Sequence, residues 1–371
     1  VNELESEIEK QIEKDGSDYE SSIPYHKLVL ELFLSAYRLS LISNFNFTKN
    51  FEKKLKKMVL FLNNVCNHSS EIPQVGDNDD GRFFIFDHDA KRNNLNFNYL
   101  FSLADKVLNL KDLVYENNEW ELLNWGIETN EDKFKNEVKN NKFSFHKDAG
   151  IMVLKNSQDY FLVSNGKVGT NGFGNHKHND LLSFEYHIQK KPIFVDIGSY
   201  VYTSSQFKRN YFRSIKNHNT FSVDDIEPNG LKKEYLFRLF ENSNPNVHEA
   251  KMYRNNCFFS GSHSGFSKNK NNVFRLFFFN TKNSELFIKD KINFNDFKNI
   301  FWNFNCYINV KPKILENGKI LISTSNIKMI MEYDQKLKLK IKNGFYSNGY
   351  GKKYPNKKIK FQTHFNKNNN N

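Results

Sequence analysis

The stretch Asn175–Thr220, NHKHNDLLSFEYHIQKKPIFVDIGSYVYTSSQFKRNYFRSIKNHNT, decides how the chain is read. It opens on His176 and His178, passes through an apolar run that ends at Asp196, and closes on His218. Alternate side chains of an extended segment share a side, so His176 and His178 point the same way. With that pair, one acid, Asp196, and one more histidine, His218, complete a possible three-ligand set for zinc, whose usual protein donors are imidazole, thiolate and carboxylate. In a chain with only 11 histidines, three of them beside an aspartate mark a metal or catalytic site rather than scattered core histidines.

Outward from this stretch the chain has two textures. From residue 1 to about 141 the apolar residues recur at helical spacing. Ser22 precedes Ile23 and Pro24, a helix-start signal, and Tyr25, Val29, Leu32, Phe33, Ala36 and Leu39 follow, ending near Asn44. Further helices are expected over about 51–65, 97–108 and 119–125, with a loop at 73–80. From about 142 to 365 the period becomes that of strands. They are expected at 151–154, 160–163, 181–187, 192–195, 273–279, 286–292, 300–310, 320–324, 328–333 and 337–341, between turns rich in Asn, Gly, Lys and Asp. Many strands and few helices imply a large antiparallel sandwich. The end, 366–371, is expected to be a disordered tail. The fold class is thus α+β and multidomain.

Composition narrows the function. The 371 residues allow one large core or two ordinary ones, and 37 Phe and 17 Tyr supply large surfaces to bury. The net charge of +12 would suit a nucleic-acid protein, but no motif of that class is present and Lys and Asn are spread along the whole chain. A basic chain also suits another anionic polymer. Cys66, Cys257 and Cys306 are odd in number and far apart, which excludes a disulfide framework and a C-x-x-C metal site. No run of about 18 apolar residues offers a membrane span. No organic cofactor motif is seen, and nothing reveals the oligomeric state.

An H-x-H with a later acid and histidine is also the pattern of a cupin metal site. There the acid follows closely in a small barrel, whereas Asp196 lies a whole strand later and a helical region precedes it. The second match is more specific. The H-x-H-x-D at His176, the L-S-F strand, the V-D-x-G-x-Y turn at Asp196 and the R-x-x-x-R-S segment at Arg209 and Arg213 running into H-N-T resemble the signature of the heparinase II/III-like family. Upstream, 15–26 (DGSDYESSIPYH) and 76–82 (GDNDDGR) resemble two further blocks of that family, in family order.

The resemblance implies a partial (α/α) toroid over 1–141 followed by a β-sandwich over 142–365. It implies a lyase that cleaves an acidic polysaccharide such as heparin, heparan sulfate or alginate by β-elimination. Tyr25 and His176 match the catalytic tyrosine and histidine, and His178, Asp196 and His218 the ligands of a structural zinc. Lys177, Arg209 and Arg213 are candidates for binding the substrate's carboxylate or sulfate, with bracing of their loop the alternative role for the two arginines, and the 76–82 loop is read as structural. The family's upstream carboxylate-binding block has no counterpart here, so the chain resembles the later part of a longer protein. The compartment implied is the periplasm or the cell exterior. The rival reading is a non-catalytic, glycan-binding member acting in surface polysaccharide assembly.

Overall fold

The computed structural model describes residues 1–86, 93–110, 113–128, 134–135, 138–266, 272–292 and 298–365. The expected disordered tail at 366–371 lies outside the described residues.

Five helices come first: α1 (Asn2–Gln11), α2 (Ile23–Ile42), α3 (Lys49–Val65), α4 (Asn98–Leu108) and α5 (Glu119–Asn124). Each boundary has a local cause. The Ser22 side chain accepts from the Tyr25 backbone N–H at 3.3 Å, and Pro24 sits in the first turn of α2. Thr48 caps α3 in the same way, through the Phe51 N–H at 3.2 Å. α4 stops at Asn109, which adopts the left-handed conformation with φ 51°. Leu55, Met58, Val59 and Leu62 line one face of α3 and are fully buried, which is the helical period made visible.

Next comes a five-stranded antiparallel sheet of Lys142–His146, Ile151–Lys155, Tyr160–Ser164, Ser183–Ile188 and Lys191–Phe194, in chain order. Its central strands are apolar throughout because both faces are covered. Ile151, Val153, Tyr160 and Leu162 join the core of the helices. Their neighbours Met152, Leu154, Phe161 and Val163 join a second core with the later strands. The two-residue period of a strand thus divides one sheet between two cores. Polar bonds fasten the first contact. Tyr160 donates to the Val65 carbonyl at 2.7 Å, and Lys155 donates to the Cys66 carbonyl at 2.8 Å, just past the end of α3.

The second core is shared with two four-stranded antiparallel sheets and a three-stranded one. Their orders are Lys338–Gly349, Lys352–Phe365, Lys298–Asn305, Phe221–Val223; then Glu285–Ile292, Val273–Asn280, Asn256–His263, Asn246–Tyr253; then Lys311–Ile314, Lys319–Ser323, Lys328–Glu332. Every strand pair among the described residues is antiparallel. The fold is therefore mixed helix and antiparallel sheet. Cys66, Cys257 and Cys306 are free and buried, and no helix among the described residues is long and apolar enough to cross a membrane.

Three expectations need correction. The first 141 residues are not helical throughout, since Tyr115–Glu116 pairs with Phe134–Lys135. The strand expected over 300–310 ends at Asn305, because Val310 N–H turns back to the Tyr307 carbonyl at 3.0 Å. A sixth helix, α6 (Gln206–Arg213), interrupts the strand-rich part, capped by Ser205.

Candidate active site

Three segments distant in sequence are stitched together at the start of α2. Ile23 N–H donates to the Val75 carbonyl at 3.0 Å, Ser22 Oγ donates to the Asp77 carbonyl at 2.8 Å, and Asp77 N–H donates to the His176 carbonyl at 2.9 Å. The approach is so close that Gly76, at φ +86°, has no room for a side chain. A Cβ there would lie 2.8 Å from the His176 carbonyl oxygen and from Ser22 Cβ.

This stitching brings Tyr25 of α2 onto His176. The two rings stack with centroids 3.6 Å apart and planes 17° from parallel. The Tyr25 hydroxyl donates to Asp79 Oδ2 at 2.8 Å. Burial, with the nearby carboxylates of Asp79 and Asp77, raises the phenol well above its ordinary range, and the neighbouring Tyr202 hydroxyl acts in the opposite direction. Tyr25 therefore holds its proton at neutral pH.

Asp77 organises the histidines. Its carboxylate lies 3.2 Å from His176 Nδ1 and 2.8 Å from His178 Nε2, and it accepts two bonds from the Arg209 guanidinium, that from NH2 at 2.6 Å. It is fully buried. Burial alone would raise its pKa, but Arg209 and the two histidines hold the carboxyl far below the usual range. An ionised carboxylate can only accept, so the Asp77 contact selects the His176 tautomer that donates from Nδ1, with Nε2 the opposite ring nitrogen. Glu20 Oε2 stands 3.9 Å from that nitrogen.

His178, Asp196 and His218 converge, with one ligand atom of each within 4.8 Å of the others. All three are buried. His218 Nδ1 lies 2.7 Å from Asp196 Oδ2, while His178 Nδ1 and His218 Nε2 have no hydrogen-bond partner among the described residues. Two unpartnered buried imidazole nitrogens beside a carboxylate fit a metal ion. The Asp77 bond to the other nitrogen of His178 is the outer support that metal-bound histidines usually have. Burial lowers the His178 pKa despite Asp77. At His218 the Asp196 carboxylate outweighs burial and raises it. A metal would compete with that proton.

The three candidate substrate cations all have internal partners in the structure. Arg209 is 1% exposed, spent on Asp77 and close to Tyr202 and Phe237, at 4.8 and 5.5 Å from their ring centres. Arg213 is fully buried and donates to the Arg238 and Tyr235 carbonyls at 3.1 and 2.6 Å. Lys177 is 2% exposed and lies 2.6 Å from Asp180. None presents its charge to solvent, because each has a buried partner to neutralise or solvate it. The 76–82 loop, in turn, does more than brace the fold: Asp77 and Asp79 contact both candidate catalytic rings. Arg82 anchors that loop to the buried Glu31 of α2 at 3.3 Å.

Comparison with known proteins agrees with these blocks. The family model "Heparinase II/III-like, C-terminal" matches residues 138–369 and "Heparinase II/III N-terminus" matches residues 1–98. A solved heparinase III superposes with a TM-score of 0.73 at 17% identity, over 98% of this chain and 54% of that one. The heparan sulfate lyase HepC from Pedobacter heparinus gives a TM-score of 0.70 at 16% identity, over 98% and 53%. At such identities the likeness is one of fold, and the chain spans about half the length of these structures. No curated protein matches the chain.

Proposed function

Because the chain belongs to the heparinase II/III-like family, we propose that it carries the acid and base of a polysaccharide lyase. The substrate would be a uronate-containing acidic polysaccharide of the heparin, heparan sulfate or alginate type. On this reading the helices of 1–141 are part of an (α/α) toroid, the sheets of 142–365 form a β-sandwich, and the enzyme works in the periplasm or outside the cell. The observation that carries the proposal is the meeting of Tyr25 and His176, each held by its own aspartate.

β-Elimination removes the C5 proton of a uronic acid and expels the group on C4. It needs a base, an acid and relief of the negative charge that builds on the carboxylate. His176 is arranged as the base, since Asp77 keeps its Nδ1 protonated and leaves Nε2 to take the C5 proton. Tyr25 is arranged as the acid, since its phenol is protonated and the departing O4, an alkoxide as the bond breaks, is basic enough to take that proton. Asp79, which receives the Tyr25 hydrogen bond, orients the phenol. His178, Asp196 and His218 would hold zinc, which supplies charge that ties together the segments carrying these three residues. Elimination uses no water nucleophile, so water activation is not required of it.

A second reading, a non-catalytic glycan-binding member, is favoured by one observation. Arg209, Arg213 and Lys177 are all spent on internal partners, so none is free to neutralise a substrate carboxylate. Ultraviolet absorbance of the unsaturated uronate product separates the two on a panel of heparan sulfate, alginate, hyaluronan and chondroitin. Absorbance growing with at least one polymer supports the lyase. Binding without any absorbance change supports the alternative.

A further inference from the structure

One sheet face carries its charge in an unfavourable arrangement. On the strands Lys338–Gly349 and Lys352–Phe365, Lys340 lies directly opposite Lys360, Lys342 opposite Lys358, and Lys338 opposite Gln362. Directly opposed residues share a face with Cβ atoms about 5 Å apart, and like charges there repel. Lys338, Lys340 and Lys342 are exposed and Lys360 is half-buried. The nearby acids are already engaged, Asp225 with Lys216 and Asp224 with Lys298. Lys358 turns inward to the Lys216 carbonyl and Asn217 Oδ1, both at 2.8 Å.

The two inner amines feel burial first and the neighbouring lysines second. Burial, then Lys342, Lys216 and Lys340, lowers the Lys360 amine from its ordinary range. Burial, then Lys360 and Lys342, pushes the Lys358 amine down to about 7. Beside Lys360, on the next strand, Asn303 is 1% exposed and both polar atoms of its amide lack a partner among the described residues.

Lysines on an edge strand often serve only to block unwanted strand pairing. That role accounts for Lys338, Lys340 and Lys342, since their strand is the sheet edge. It does not account for Lys360 on the second strand, which lies opposite Lys340, adds repulsion and protects no edge, whereas Lys358 is held inward by Lys216 and Asn217.

We propose that this face is a binding site for an acidic polysaccharide chain, away from the Tyr25–His176 pair. Alternate residues of a strand are about 7 Å apart, so the lysines form rows that meet anions repeated along an extended polymer. A single small anion would relieve only one pair. Single-stranded nucleic acid fits less well, because Phe301 of this face is covered by Lys360, whose Nζ stands 4.2 Å from the ring centre, and cannot serve as a base-stacking platform. The choice of a polysaccharide rests on the lyase reading above.

The test measures binding of fluorescein-labelled heparin and labelled alginate to three proteins: wild type, a Lys338→Gln, Lys340→Gln, Lys342→Gln variant, and a control Lys311→Gln, Lys313→Gln, Lys328→Gln variant of equal net charge on the three-stranded sheet. The first variant should bind at least one polymer about tenfold more weakly, with a shallower salt dependence, as expected when counterion-releasing contacts are lost. The control should stay within about twofold of wild type. Equal losses in both variants, no loss in the first, or tighter wild-type binding to poly(dT) or to phosphatidylserine vesicles than to either polysaccharide would overturn the proposal. Cleavage of short oligosaccharides, unchanged in the ladder variant, is followed in parallel. Wild-type protein that binds through the ladder but cleaves nothing defeats the lyase reading and leaves this site standing.

Discussion

Replacing Asp77 by Asn probes the site at its centre. The carboxylate serves His176 at 3.2 Å, His178 at 2.8 Å and both terminal nitrogens of Arg209. The substitution keeps size and removes charge, so Arg209 becomes a buried cation without a counterion. Breaking one side of a buried pair typically costs about 3–5 kcal/mol. At roughly 2–4 °C per kcal/mol for domains of this size, the melting temperature should fall by about 6–20 °C. An asparagine can also donate to His176 Nδ1, which would place the imidazole proton on Nε2, where the base must be empty. Turnover should therefore fall by about 10²–10⁴-fold beyond any loss of folded protein. Scanning calorimetry reads the first effect, and initial rates on folded protein read the second. Adding Arg209→Met to Asp77→Asn should recover part of the melting temperature and none of the turnover. A single Asp77→Asn variant melting within about 2 °C of wild type and turning over normally would refute the reasoning.

Other expectations follow from the same geometry. If His178, Asp196 and His218 hold zinc, elemental analysis should find about one ion per chain and chelation should lower the melting temperature. No metal and an unchanged melt would remove the ion from the account. Burial, with a smaller part from neighbouring carboxylates, raises the Asp18 carboxyl to about 8, above its unfolded value near 4. A raised carboxyl costs stability increasingly as pH climbs between those values, by about 1.4 kcal/mol per pH unit. Asp18→Asn should therefore gain stability relative to wild type from pH 5 to pH 8 in urea titrations, and a pH-independent difference would contradict the assignment. Leu62 of α3 is fully buried in the helical core, so Leu62→Ala should cost about 2–5 kcal/mol by the same titrations. A cost below about 1 kcal/mol would show that the α3 face is not packed as described.

Much of this was legible in the sequence for identifiable reasons. The cap at Ser22 and the apolar stripe of α3 are local signals, and local signals survive folding. The runs at 151–154 and 160–163 read as strands because both of their faces are buried. By contrast, Lys352–Phe365, a 14-residue strand, hides behind Lys, Asn and Pro, with Ile359 and Phe361 its deeply buried residues. Asn246–Tyr253 and Asn256–His263 are polar enough to pass for loops. Cross-strand pairing, not intrinsic preference, makes them strands. A site built from the H-x-H, Asp196 and His218 was visible in the pattern of residue types, and the family resemblance singled out His178, Asp196 and His218, which converge. The fate of the arginines was not. Arg209 and Arg213 sit four apart on a short helix, but the carboxylate that captures Arg209 lies 132 residues earlier. No local pattern encodes such a pair. Asp77 was hidden for the same reason, inside a loop that looks merely structural.

The central claim is that Tyr25 and His176 perform acid–base elimination. The most direct measurement is the initial rate of unsaturated-uronate formation by Tyr25→Phe and His176→Ala, each checked for native melting, on whichever polymer the wild type cleaves. Tyr25→Phe removes one oxygen and its bond to Asp79, so the fold should persist while kcat drops by about 10²–10⁴-fold, with a comparable drop for His176→Ala. Wild-type kcat in both folded variants would contradict the account.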